Sequence, residues 1–483
     1  MAPSFKDEAH LIILPGSLHT LVRFGLEDAI TPPTYSIPTK VYRNPHQDGY
    51  FQATAPLDAQ GDLERYAVYP IVKGEIANVD ALNFLFKCIV KSVLKNNPLI
   101  LLDSITFTLV QSSSRWSPVA VETITNYAFE TLQLAAFAIV PAALCALFAH
   151  GSFSNACVID VGYEKCEISP IVDFQVFAPA VTYLEEGGNS INIRLHELLP
   201  QLSDAQIESL KKSSIFECLS EEQAKGSFFG VSGLLDDGKS KNPEDEGVLD
   251  IASIVTSEKS TREILEEKER EKRDKNHKRK GKSDQEKPNS EREKNKFVDN
   301  EGNVITVGKE RFQGSGRLID NLSHAIYRAL SKVPDMKKRE ECYENLVICG
   351  KTSSIKGFKE ELLVKLYSKF VAGANLEEYE KKRKERLRQG ASFRNEAAGL
   401  MDELQLAQAP KRMKVVLKPE YFSAWKKAGF EDCAFLGGEI LCRQIFGGSG
   451  DNELYLSKEE YYDKGPIWIR HVKLCLCICM YCK

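Results

Sequence analysis

Apolar and polar positions alternate near the start of the chain. Residues 10–26, HLIILPGSLHTLVRFGL, read as two short strands around a turn at Pro15 and Gly16. A proline-rich, extended stretch follows. Over residues 79–95 the period becomes helical, with Leu82, Leu85, Phe86, Ile89, Val90 and Val93 on one face. SITFTLVQSS (104–113) predicts a strand and PVAVETITNYAFETL (118–132) a helix. AIVPAALCALFAHG (138–151) predicts a buried helix ending at Gly151. NACVIDVGYEKCEISPIVD (155–173) predicts a β-hairpin. This order implies α/β lobes and no simple repeat.

Two stretches break the pattern. Residues 236–296 are polar and densely charged, with too little apolar surface to offset the entropy of ordering. Residues 377–412 contain LEEYEKKRKERLRQ, whose acids precede its bases at helical spacing, as on an exposed helix. Patterned sequence resumes after both, so each is expected to be an insertion in a folded domain.

Length changes the picture once: 483 residues exceed what one core serves comfortably, so two or more lobes are expected. The formal net charge of −4 gives no case for nucleic-acid or membrane binding. No apolar run approaches the roughly 20 residues of a membrane span. MAPSFKDEAH lacks the apolar core of a secretory signal. Without one, the cysteines from Cys88 to Cys442 read as reduced, buried thiols. Cys475, Cys477, Cys479 and Cys482 crowd the end. Structural zinc sites pair such ligands with a distant second pair, so residues 467–483 read as a divergent cysteine-rich tail and no metal is assigned.

The ordered segments together resemble actin and the actin-related proteins. YPIVKGEI (69–76), AFETL (128–132), ALFAHG (146–151), EGNVITVGKERF (301–312), NLVICGKTSSIKG (345–357), FLGGEIL (435–441) and LSKEEYYDKGP (456–466) follow one another as similar strings do in actin. The resemblance implies an actin/Hsp70-like two-lobed α/β ATPase fold of four subdomains over residues 1–466, interrupted by the two charged insertions. More narrowly, the N-terminal segment and the large insertion before VITVGKERF resemble the fungal actin-related protein 9 family, subunits of the SWI/SNF and RSC chromatin remodelers.

Such a fold cradles nucleotide phosphates between two hairpin turns, with an acid in each orienting a metal and its water. In the first turn, LPGSLHT, the acid is missing and Gly16 or Ser17 occupies its place. His19 reads as an incidental turn residue. The second turn keeps Asp160 and Gly162, but Tyr163 and Glu164 replace an acid and a glycine. The water-positioning glutamine aligns near Ala142. Gly188, Asn189 and Ser190 stand where the family has Gly-Arg-Asp. The adenosine loop keeps Gly350 and Thr352, with Lys351, Ile355 and Lys356 departing from the pattern. The nucleotide-binding candidates are therefore Asp160, Gly162, Gly350 and Thr352, in a degenerate site with no catalytic residue, no metal and no cofactor assigned. The paired Glu185 and Glu186 read as turn chemistry.

The resemblance implies a non-catalytic structural subunit of a nuclear remodeler. Its implied partners are a second actin-related protein, the helicase-SANT-associated helix of the remodeler ATPase and other remodeler subunits. Nucleosomes are met only indirectly, and no membrane is involved. KNHKRKGK (275–282) reads as either a nuclear import signal or a solvated charge run. The alternatives are an ATP-binding or hydrolysing actin-like protein, which the degenerate turns disfavour, and a cytosolic actin-like scaffold.

Overall fold

The computed structural model describes residues 5, 7–26, 30–44, 49–52, 64–151, 153–234, 287–371, 410–447 and 454–472. They fall into two compact units, Met1–Ile193 with Arg317–Lys483, and Arg194–Gly316.

The first unit contains two sheets of one plan. In the first sheet, β1 (His10–Pro15) and β2 (His19–Phe24) form an antiparallel hairpin, extended by β3 (Tyr35–Pro38). On its other side β1 pairs in parallel with β4 (Thr106–Gln111), and β4 with β5 (Ala136–Pro141). Every residue of β4 and β5 is buried, as expected of parallel strands covered on both faces. In the second sheet β6 (Ala156–Val161) and β7 (Cys166–Val172) form the hairpin. Here the parallel neighbour of β6 is β8 (Leu346–Cys349).

Helices fill the crossovers. α1 (Val79–Asn96) buries all six residues of its predicted face, and the Asn78 side chain caps it by accepting from the Ala81 amide at 2.8 Å. α2 (Pro118–Asn126) starts with a Ser117 cap and Pro118 at its first position. It gives way at Tyr127–Thr131 to a wider π turn, so the helix predicted over 118–132 is not uniform. The buried helix predicted over 138–151 is a larger departure, because the chain runs as strand β5 to Pro141 and only then as α3 (Ala142–His150). Periodicity does not separate a buried strand from a buried helix. Pro141 divides them, since it lacks the amide to continue a ladder and suits a helix start.

α3 and α4 (Cys433–Gly447) share one buried cluster with residues of both sheets, including Ile12, Val110, Val140, Val158 and Val347. The glycine pair of FLGGEIL makes this packing possible. A Cβ on Gly437 would overlap the Cys145 carbonyl, and one on Gly438 would lie 2.6 Å from Val110 Cγ2.

In the second unit, Asn295–Val298 pairs antiparallel with Val304–Val307. Arg311 is fully buried beside this hairpin. Its guanidinium donates to Asn289 Oδ1 at 2.9 Å, to the carbonyls of Asn289 at 2.8 Å and Arg292 at 2.5 Å, and to that of Gly308. Burial pulls its pKa down to about 10, against the opposing pull of Glu217. Asn289 in turn donates to the Ile215 carbonyl and to Glu217.

Two predicted boundaries therefore move. Residues 287–296, assigned to the charged insertion, belong to the fold because they supply the acceptors for Arg311. Residues 467–472, assigned to the tail, form most of a 3-10 helix, Pro466–His471, with Ile469 and Val472 buried. The remainder of the first insertion with its basic cluster, the helix expected in the second, and the four tail cysteines lie outside the described residues.

Replacing residues 236–286 by a short flexible linker should change stability by less than about 1 kcal/mol, since closure entropy varies slowly with loop length. Arg311→Met should cost about 2 kcal/mol by leaving buried carbonyls without a donor. Chemical denaturation of both variants checks this; equal and large losses would show that the excised segment carries core contacts.

Candidate functional site

The β6–β7 hairpin places Asp160 directly opposite Glu167. Two neighbouring carboxylates in a largely buried position repel one another unless a cation lies between them. Lys165 supplies it. Its buried ammonium donates to Glu167 Oε2 at 2.8 Å and to Asp160 Oδ2 at 3.4 Å. Burial alone would lower the lysine pKa, but the two acids reverse that and hold it above its ordinary range. Burial alone would raise the Glu167 carboxyl, yet Lys165 keeps it below its ordinary value. The Ser114 hydroxyl and amide add donors to Glu167 at 2.8 and 3.1 Å. Asp160, with the weaker share of the lysine, is raised by burial.

All four predicted candidates come together. The Thr352 hydroxyl donates to the Gly162 carbonyl at 2.8 Å. Gly350 adopts φ +86, and a Cβ there would overlap the Val161 carbonyl and lie 2.7 Å from Asp160 Oδ1. The turn is further occupied by Gly188, whose amide donates to the Gly162 carbonyl at 2.9 Å, and by Asn189, whose amide donates to Tyr163 at 2.8 Å. A Cβ on Gly187 would lie 2.5 Å from the Gly162 carbonyl, so glycine is required at that approach. The Gly162 amide itself closes the hairpin onto the Lys165 carbonyl at 2.9 Å.

The residues that replace the expected ones have partners of their own. Glu164 accepts from the Lys73 amide at 2.8 Å, tying the 70–76 turn to the hairpin tip. Glu185 bonds the Lys73 ammonium at 2.8 Å, and Arg115 joins Glu185 to Glu75. Glu186 accepts twice from the Asn321 amide, at 3.0 and 2.9 Å. The pair read as turn chemistry is thus an ion-pair partner and an amide anchor. In the first hairpin, the Gly16 amide bonds the His19 carbonyl at 2.9 Å, and His19 begins β2 opposite Pro38. Ala142 opens α3.

These residues do not fit a metal-bound nucleotide. The first turn offers no carboxylate, Asp160 and Glu167 are engaged by the Lys165 ammonium, and Glu164 accepts from the Lys73 amide. What the cluster does chemically is hold the hairpin, the 70–76 turn and the 113–115 loop to one another. Lys165 and Glu167 were missed from the sequence. The available signal was hairpin register: closing the turn at Gly162 and Lys165 places residues 160 and 167 side by side.

Two sheets of one plan, each a hairpin with a parallel neighbour and with helices shared between them, are those of the actin and Hsp70 class of α/β folds. The family model described as Actin matches residues 6–393, and the chain belongs to the actin family. It is similar to the SWI/SNF and RSC complexes subunit arp9 of Schizosaccharomyces pombe, with 26% identity over 98% of this chain and 100% of that protein. Actin-related protein 7 of Arabidopsis thaliana is 23% identical over 96% of this chain and 93% of its own length. The S. pombe SWI/SNF and RSC complexes subunit arp42 is 24% identical over 39% of this chain and 43% of its own.

Lys165→Met should cost about 3 kcal/mol at pH 7 by leaving the buried Glu167, and the partly exposed Asp160 beside it, without their cation. In the native protein the Glu167 contribution is present above the ordinary carboxyl pKa and is lost as pH falls through the depressed folded value. In the variant, burial raises Glu167 instead, so the deficit should shrink between pH 7 and pH 5. Denaturant unfolding of both proteins at these two pH values measures it; a deficit constant with pH would show that the lysine acts by packing alone.

Proposed function

We propose that this protein is a non-catalytic structural subunit of a SWI/SNF- or RSC-type chromatin remodeling complex in the nucleus. It binds the helicase-SANT-associated helix of the remodeler ATPase together with a second actin-related protein, and meets nucleosomes through other subunits. The observation that carries this reading is the self-paired cluster of Asp160, Lys165 and Glu167 in a chain of the actin family. Asp160, the acid retained in the second turn, is paired instead with a protein ammonium. The full-length similarity to a protein named as a SWI/SNF and RSC subunit supports the setting.

Recognition of this kind needs shape without chemistry. An amphipathic helix of several turns lays apolar anchors at i, i+3, i+4 and i+7 into a groove on a rigid body, which supplies affinity with no bound nucleotide.

A second reading, nucleotide binding without hydrolysis, is favoured by the convergence of Asp160, Gly162, Gly350 and Thr352. It competes with the occupancy of the same groups by Lys165, Gly188 and one another.

Pull-down with the isolated ATPase helix separates the readings, using a partner actin-related protein whose own nucleotide site is disabled and a nucleotide-scavenging enzyme. Undiminished capture is expected, with ATP turnover by the purified chain at background. Capture that disappears with the scavenger and returns with ATP would support the second reading. No capture at all would favour the cytosolic scaffold.

A further inference from the structure

The second sheet continues past β8. Leu346 forms a parallel bridge with Val415, and three backbone bonds hold the pair. The Lys414 amide donates to the Tyr343 carbonyl at 3.0 Å, the Leu346 amide to the Lys414 carbonyl at 2.9 Å, and the Val416 amide to the Leu346 carbonyl at 2.8 Å. The bonds toward β8 thus come from residues 414 and 416, so the N–H and C=O of Val415, and of Leu417 as the strand continues, point away from the sheet. Among the described residues no hydrogen bond reaches the backbone of Val415 or Leu417. At Met413 the edge is closed, because the Tyr367 hydroxyl donates to the Met413 carbonyl at 2.6 Å and accepts from its amide at 3.2 Å. From Val415 onward it is open.

The charge along this edge is one-sided. Between residues 411 and 428 stand six cations and one acid, Glu420, in a chain whose net charge is −4. Lys411 pairs with Glu340 at 3.7 Å. Arg412, Lys414, Lys418, Lys426 and Lys427 are exposed, with no acidic partner among the described residues. Lysine on an open edge can serve only to keep other strands away. The apolar residues here argue for a different use. Leu417 is 87% exposed and Tyr421 70%. A leucine left in water beside an open edge invites pairing and does not deter it.

These features fit one kind of occupant. An open edge offers both donors and acceptors, which another extended peptide matches, whereas a phosphate backbone brings acceptors only. Successive residues of a strand face opposite sides, so Lys414 and Lys418 share one side and Val415 and Leu417 the other. A peptide with carboxylates at alternate positions and apolar residues between them meets both sides at once.

We propose that the edge at 415–418 docks an acidic, extended segment of a partner protein as an added strand. Backbone bonds to Val415 and Leu417 set its register, Lys414 and Lys418 hold its carboxylates, and Leu417 covers an apolar position. Leu346 opens β8, whereas Cys349 at the far end of that strand is in register with Asp160. The docking edge is therefore apart from the hairpin cluster, and its use does not rest on the proposed recognition of the ATPase helix.

The test uses the full chain and a fluorescein-labelled, acetylated octapeptide of alternating glutamate and valine, read by fluorescence anisotropy at pH 7.5 and low salt. Saturable binding is expected. The double variant Lys414→Glu, Lys418→Glu should weaken it at least about tenfold while far-UV circular dichroism stays native. Val415→Pro, which removes an outward amide and no native bond, should weaken it several-fold. The same peptide N-methylated at every amide keeps its charge and should bind the unaltered protein at least about tenfold more weakly. Equal binding of the N-methylated peptide would show charge attraction without strand pairing and overturn the proposal. Absence of peptide binding would also overturn it, leaving the lysines as guards of the edge. Tighter binding of duplex DNA, lost in the double variant, would assign the surface to nucleic acid instead. Peptide binding that appears only after residues 377–408 are excised would make this chain's own insertion the occupant and equally overturn it.

Discussion

A buried ammonium must keep its partners, and at the head of the β6–β7 hairpin this requirement organises everything nearby. Lys165 lies between Asp160 and Glu167, so neither acid has to neutralise itself or draw a cation from outside. Glu167, kept ionised, holds the Ser114 amide and hydroxyl. The lysine stem occupies the space over Gly74, where φ is +83 and a Cβ would lie 2.8 Å from Lys165 Cε. Glu164 then secures the adjoining Lys73 amide. The hairpin thereby fixes two loops, the turn of the small 71–76 hairpin and the 113–115 loop that follows β4.

The scaffold around this cluster has a different source of order. Helices α3 and α4 meet the sheets through a continuous apolar cluster, and the closeness of the helices depends on Gly437. None of that packing passes through the turn residues. The framework of an actin fold can therefore persist while the phosphate turns change, and this is the combination found in a chain related along its whole length to a named remodeler subunit. Under the proposed function, it is the shape of this rigid body that a partner would meet.

Legibility in the sequence followed how local each signal was. The face of α1, the β1–β2 hairpin and the β6–β7 hairpin depend on period and turn residues within a short window, and they appear where expected. β5 did not, because a wholly buried run carries no period and only Pro141 marks its end. The convergence of Asp160, Gly162, Gly350 and Thr352 was readable only through the family resemblance, since β6 and β8 are far apart in sequence. Lys165 and Glu167 were hidden by attention to the residues that had been lost. Arg311 sits in a recognisable string, but its acceptors lie at the end of a highly charged stretch, where composition masked the return of the fold.

The central claim is that the second hairpin is held by its own lysine and does not wait for a metal nucleotide. Hydrogen–deuterium exchange over residues 158–166 and 348–354 tests it most directly, in the presence and absence of millimolar magnesium ATP. The account predicts the same slow exchange in both conditions, since the amides of Gly162, Gly350 and Ser353 are already committed within the protein. Marked protection of these peptides on adding magnesium ATP would contradict it.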